Sequence, residues 1–246
     1  MATDPVAALR VSERLSLSCP ITTLSAVPGT SYVLAGTARR LVLVNVESGP
    51  TLAPADRDAA DSVREWTVFE RERIHRIVWR SADDATRQRE ALALGGKEAA
   101  LVEWQLTDDD GHDSRFDLHV KCRFRLDDVV GDGAFLGSSD VLLTTLHCSI
   151  HSYQIPQSTS ASASTSFPPL LSPFRTHHAP QRPLLWAARF SLPSYTDGNE
   201  ARRGNELVRI AGGSMWGDTF LWDVAFSSEL VQDDSGASDA IRGSLR

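Results

Sequence analysis

The residues with the clearest capacity for chemistry are Arg71, Arg73 and His75, which alternate with Glu70, Glu72 and Ile74 inside the run Val68–Ile77 (VFERERIHRI). In an extended chain successive side chains point to opposite sides, so the two guanidiniums and the imidazole share one face. Such a row can hold phosphate oxygens or an acidic protein surface through charge-assisted hydrogen bonds. The competing expectation is that the cations pair with Glu70, Glu72 or neighbouring acidic loops. Arg39 and Arg40, adjacent at a turn tip, form a second candidate for contact with a partner or RNA.

Other groupings read as structure rather than as sites. Gly95-Gly96-Lys97 lacks the leading glycine that a phosphate-cradling loop needs at a fixed spacing, so it reads as a turn. His147 and His151 flank Cys148; along a strand the two histidines would face one way and the thiol the other. His177-His178 sits in polar, low-complexity sequence and reads as solvated surface, and Asp108-Asp109-Asp110 reads as a solvated turn. The sequence contains no nucleophile elbow and no metal-binding run. It predicts a non-enzyme with no catalytic residues, no metal and no cofactor.

The chain has 246 residues and a net charge of −7. That length can bury a sizeable core, and the acidic balance excludes a global basic field, so any RNA contact would need a local patch. Cys19, Cys122 and Cys148 are odd in number and widely spaced, which fits a reducing compartment better than a disulfide framework. The N-terminus has no apolar signal core, and no run reaches the roughly 18 apolar residues of a spanning helix. The expectation is a soluble, cytoplasmic protein.

The elements that must position the candidates are strands. Leu34–Val46, Leu94–Leu106 and Leu143–Ile155 align without a gap, and Ile210–Val224 joins them with two extra residues in its turn. Each is an apolar entry, a small-residue turn and a closing strand. The alignment puts Val44, Trp104 and Tyr153 where Trp222 stands, and Asn45, Gln105 and Gln154 where Asp223 stands. A large side chain there is expected to pack between neighbouring units. Period-two apolar runs broken by Pro and Gly leave little room for helix.

The fold expected is therefore all-β, a WD-repeat β-propeller of about four blades, forming an incomplete or N-terminal portion of a larger propeller. Blades are expected over about 20–72, 73–126, 127–156 and 184–226. Between the ends of the closing strands, at Val46, Leu106, Ile155 and Val224, the spacings are 60, 49 and 69 residues, more than the roughly 40–45 such a blade needs, and polar inserts supply the excess. Residues 1–19 read as a tail with room for an outer strand over Arg10–Cys19, 156–183 as a mobile low-complexity loop, and 227–246 as a disordered tail.

Three stretches carry a family resemblance: Tyr32–Leu43 (YVLAGTARRLVL), Val68–Ile77 and Leu207–Val224 (LVRIAGGSMWGDTFLWDV). In this order and spacing they resemble the N-terminal region of the WD-repeat protein that partners the tRNA ribose 2′-O-methyltransferase acting on the anticodon wobble nucleotide. Arg76 stands where that family favours glycine, Asp218 where it favours glutamate, and Met215-Trp216 replaces a smaller pair. The resemblance implies a non-catalytic scaffold that contacts a methyltransferase, with tRNA engaged indirectly or locally, and neither a membrane nor a small-molecule substrate. The alternative is a WD-repeat adaptor in another complex, such as a ubiquitin ligase or a trafficking coat.

Overall fold

A computed structural model describes residues 19–45, 63–80, 90–109, 113–136, 139–155, 168–178, 185–191, 206–214, 216–226 and 242–245. The described residues are all-β and contain no helix. Their strands form four sheets, each built mainly from strands consecutive in the chain.

Sheet one contains β1 (Ile21–Ala26), β2 (Tyr32–Thr37), β3 (Arg40–Asn45) and β4 (Val63–Thr67) in that spatial order. Sheet two contains β5 (Arg76–Trp79), β6 (Glu90–Leu94), β7 (Glu98–Asp109) and β8 (Asp113–Arg125). Sheet three starts from β9 (Val130–Leu136), β10 (Asp140–Thr145) and β11 (Ser149–Gln154). The segment that follows supplies β12 (Leu170–Leu171), which pairs in parallel with β8, and then β13 (Arg175–His178), the outer strand of sheet three. Sheet four contains β14 (Leu185–Ser191), β15 (Glu206–Ser214), β16 (Thr219–Phe226) and β17 (Arg242–Leu245).

Two expectations are corrected here. Two stretches of the expected mobile loop, Leu170–Leu171 and Arg175–His178, are strands, because β8 and β11 offer unpaired edges and Leu171 packs into the core between sheets two and three. The backbone N–H of Arg123 and of Phe174 donate to Pro169 and Ser152, each at 2.9 Å. The third unit thus extends past residue 156. Likewise β17 lies within the stretch expected to be a disordered tail and pairs with β16. The expected strand over Arg10–Cys19 falls almost wholly outside the described residues, as do the inserts around 82–89 and 193–205.

Sheets one to four pack face to face in order, and each contact has its own core. Between sheets one and two, Leu34, Leu41, Phe69 and Ile74 meet Ala91, Ala93 and Ala100. Sheet two buries both faces. Alternation on β6 turns Ala91 and Ala93 toward sheet one, and Leu92 and Leu94 toward sheet three. Small residues on one side leave room for the large ones opposite, which is how a close-packed interior is filled. Between sheets two and three, Phe124 meets Tyr153 edge to face, with ring centroids 4.8 Å apart. Between sheets three and four, Leu142 and Ile150 meet Phe220 and Trp222, whose own rings stack at 5.6 Å.

The aligned large residues do sit in these cores. Tyr153 is fully buried, and Trp104 and Trp222 are 6% and 7% exposed. Val44, the smallest of the set, is half-buried. Of their polar neighbours, Gln154 is exposed and Asp223 forms a bidentate pair with Arg209 at 2.6 and 3.0 Å, while the side chains of Asn45 and Gln105 lie outside those described.

Candidate functional site

The run carrying Arg71, Arg73 and His75 is the link from β4 to β5. It is extended but has no strand partner along its middle, so the alternation survives without a ladder. Ile74 is fully buried, whereas Arg71, Arg73 and His75 are exposed. The link is held in place by the turn between β2 and β3. Val68 and Phe69 donate backbone N–H to the Arg39 carbonyl at 3.0 and 3.3 Å, and Ile74 donates to that of Ala38 at 2.7 Å. Ala38 can present its carbonyl this way because it adopts a left-handed conformation, φ +47°. The Thr22 hydroxyl donates to the carbonyls of Gly36 and Ile74, tying β1 to the same place.

Arg39 joins the row and Arg40 does not. Arg39 donates from Nη1 to the Glu70 carbonyl at 2.5 Å, which brings its guanidinium onto the link. Arg40 forms an ion pair with Glu65 at 2.8 Å on the neighbouring strand and is used within sheet one. Arg71 and Arg73 form no ion pair with a described carboxylate. Glu72 instead turns to the β6–β7 turn, where its Oε2 would stand 2.1 Å from a Cβ placed on Gly96. Among the described residues, then, Glu70 and Glu72 do not pair with Arg71 or Arg73. What the row offers chemically is recognition of an anionic group.

Behind it lies a charged cluster that the sequence reading did not single out. Asp132 on β9 is 2% exposed, and its carboxylate accepts Arg76 Nε at 3.1 Å, its neighbour's Gly133 N–H at 2.8 Å and the Phe190 N–H at 3.0 Å. Burial pushes the Asp132 carboxyl above its ordinary value, although these bonds and the nearby Arg189 pull the other way. His75 stands over the cluster. The packed atoms around its ring, then the Arg76 and Arg189 charges, hold its pKa below the usual histidine value, opposed by a bond to the Val130 backbone. One sign of the cluster was legible: Asp132 is a lone charge in the otherwise apolar or small run VGDGAFL. Its partners Arg76 and Phe190 lie on other sheets, and no spacing announces them.

The remaining groupings also found their places. Gly95-Gly96-Lys97 is a turn closed by Gly95 N–H to the Glu98 carbonyl at 2.8 Å. His147 and Cys148 lie in the β10–β11 turn rather than on a strand, so the facing expected from alternation does not apply to them. His147 Nδ1 pairs with Asp128 at 2.7 Å, and Cys148 is buried with φ +60°. Burial pushes the thiols of Cys122 and Cys148 up to about 12, which leaves both unreactive near neutral pH. His177 is a correction: it lies on β13 opposite Ile150 and is 8% exposed, while His178 bonds the Ser149 hydroxyl at 2.7 Å. Asp108 and Asp109 belong to β7, and Asp110 lies outside the described residues.

No family model matches the chain, and no curated protein matches it. Among solved structures, a chain of the Chaetomium thermophilum heterotrimeric Nup82 NTD–Nup159 TAIL–Nup145N APD complex is similar at a TM-score of 0.47 and 12% identity, over 83% of this chain. The chain spans 42% of the length of that structure's chain.

Proposed function

We propose that the four sheets are blades of a WD-repeat β-propeller and that the chain is a non-catalytic scaffold. In this reading it belongs to a larger propeller and acts as the partner subunit of the cytoplasmic tRNA ribose 2′-O-methyltransferase that modifies the anticodon wobble nucleotide. The observation that carries the scaffold reading is the repeated unit itself. Sheets stack face to face, with Trp104, Tyr153 and Trp222 buried between them at corresponding places. Stacked sheets of this kind expose long loop-rich ends, a form suited to holding macromolecules. The methyltransferase partner rests on the resemblance of Tyr32–Leu43, Val68–Ile77 and Leu207–Val224. The exposed Arg71, Arg73 and His75 give that resemblance a surface on which an anionic patch of the enzyme, or a tRNA phosphate, can settle.

The test is affinity capture of the tagged chain from its native cells, read by mass spectrometry alongside wobble-ribose methylation in a deletion strain. The expected result is recovery of the ribose methyltransferase and loss of the methyl group, with recovery reduced about tenfold in an R71A/R73A variant. Recovery of a ubiquitin ligase or trafficking coat with methylation intact would sink the proposal and favour the adaptor reading.

A further inference from the structure

Arg71 and Arg73 stand two residues apart on one face of the extended link between β4 and β5, about 6.6 Å along the backbone. Both are exposed, and among the described residues neither pairs with a carboxylate. Arginine side chains are long enough to span that gap, so the two guanidinium forks can close on one point between them. The backbone beneath them is fixed. Val68, Phe69 and Ile74 are fully buried, and their N–H groups are bonded to the Ala38 and Arg39 carbonyls. Arg39, with Nη1 on the Glu70 carbonyl, brings a third guanidinium to the start of the row. A surface held this way loses little freedom when a ligand settles on it.

The charge around the row discriminates between anions. Binding of a polyanion draws on a field that reaches past the Debye length of about 8 Å and on the release of many counterions. Glu70 and Glu72 are interleaved with Arg71 and Arg73, so at that range the run is close to neutral, and the whole chain carries −7. At contact the cancellation fails. Alternation turns the glutamates to the other side of the link, and the Glu72 carboxylate lies over Gly96. Such a surface suits one concentrated charge rather than a charged polymer. A carboxylate has only two oxygens to share between two forks. A phosphoryl group on serine or threonine presents three strong acceptor oxygens and a charge of about −1.5 to −2.

We propose that Arg71 and Arg73, with Arg39 beside them, form a receptor for one phosphorylated serine or threonine side chain of a protein partner. Each fork donates paired, charge-assisted hydrogen bonds to the phosphoryl oxygens. The forks lie on an exposed surface that grips a ligand from one side, so the remaining contact comes from the polypeptide bearing the phosphoryl group. Binding is thereby switched by the phosphorylation state of the partner. The inference rests on reading the row as an anion-recognition surface; it does not depend on which protein the partner is.

The test titrates the full chain, by fluorescence anisotropy, with three degenerate peptide pools that differ only in a fixed central residue: phosphoserine, serine or glutamate. Labelled tRNA is a fourth probe, and inorganic phosphate serves as competitor. The expected result is at least tenfold tighter binding of the phosphoserine pool than of the other two, reversed by inorganic phosphate. That preference should vanish in R71A/R73A at an unchanged melting temperature, and R40A, which alters an arginine engaged with Glu65, should bind as wild type does. Equal binding of the three pools, or a phosphoserine preference that R71A/R73A leaves intact, would overturn the proposal. Tighter binding of tRNA than of the phosphoserine pool, abolished in R71A/R73A, would overturn it in favour of nucleic acid and leave the anion-recognition reading standing. If no probe binds in a manner that depends on Arg71 and Arg73, both are refuted.

Discussion

Asp132 takes a charge into the interior and holds it with donors from sheets two and four as well as its own strand. D132A leaves the Phe190 N–H without its acceptor while the partly exposed Arg76 can turn to water, so it should lower stability by about 1–3 kcal/mol, read by urea unfolding. Asp128 shows the opposite balance. Burial raises its carboxyl, but bonds from the His147 ring and from the backbone N–H groups of Val129 and His147 outweigh it and hold the pKa below the ordinary value. A carboxyl depressed on folding stabilises the protein above its unfolded pKa, and that contribution fades as pH falls through the folded value. The stability gap between wild type and D128N should therefore be full at neutral pH and close on acidification into that lowered range. His75 should titrate below an ordinary histidine by NMR, and R189Q should move it upward, since Arg189 is one of the charges depressing it.

At the scale of elements, glycine replacements separate tight packing from mere proximity. A Cβ on Gly36 would stand 2.6 Å from Thr23 Cγ2 and 2.9 Å from Ile74 Cγ2, both on β-branched side chains held within the fold. On Gly96 the close neighbour is the carboxylate end of Glu72, which can swing away. G36A should cost about 1–3 kcal/mol and G96A less than about 1, by thermal unfolding. The third-strand aromatics were legible because a repeat at fixed offset reports a shared environment, and burial of Trp104, Tyr153 and Trp222 follows from it. The outer strands β12, β13 and β17 were not, since they are only two to four residues long, show no apolar alternation and gain order from edges that other strands offer. The exposed row was half legible for the same reason. Alternation alone gave the facing of Arg71, Arg73 and His75, while the paired state of Arg40 and the cluster beneath His75 depend on residues distant in sequence.

At the scale of the molecule, the joins between sheets are unequal. Sheets one and two share the turn bonds from residues 68, 69 and 74 together with the Thr22 hydroxyl bridge. Sheets two and three share turn bonds from Leu126 and Val130 and are also crossed on the outside by the segment bearing β12 and β13. Sheet four is joined to sheet three, among the described residues, by the core around Trp222 and the Phe190–Asp132 bond. Amide hydrogens of β15 and β16 should accordingly exchange faster than those of β6 and β10. A molecule joined this way has a direction under load. Pulled between residues 20 and 226 in an optical trap, it should yield first by a single rip of roughly 14 nm, the extended length of residues 185–226. Sheets one to three, with the arginine row between them, would still hold at that force. Sheet four is in effect a mechanical fuse, and strain delivered to it would be released there before it reached the rest.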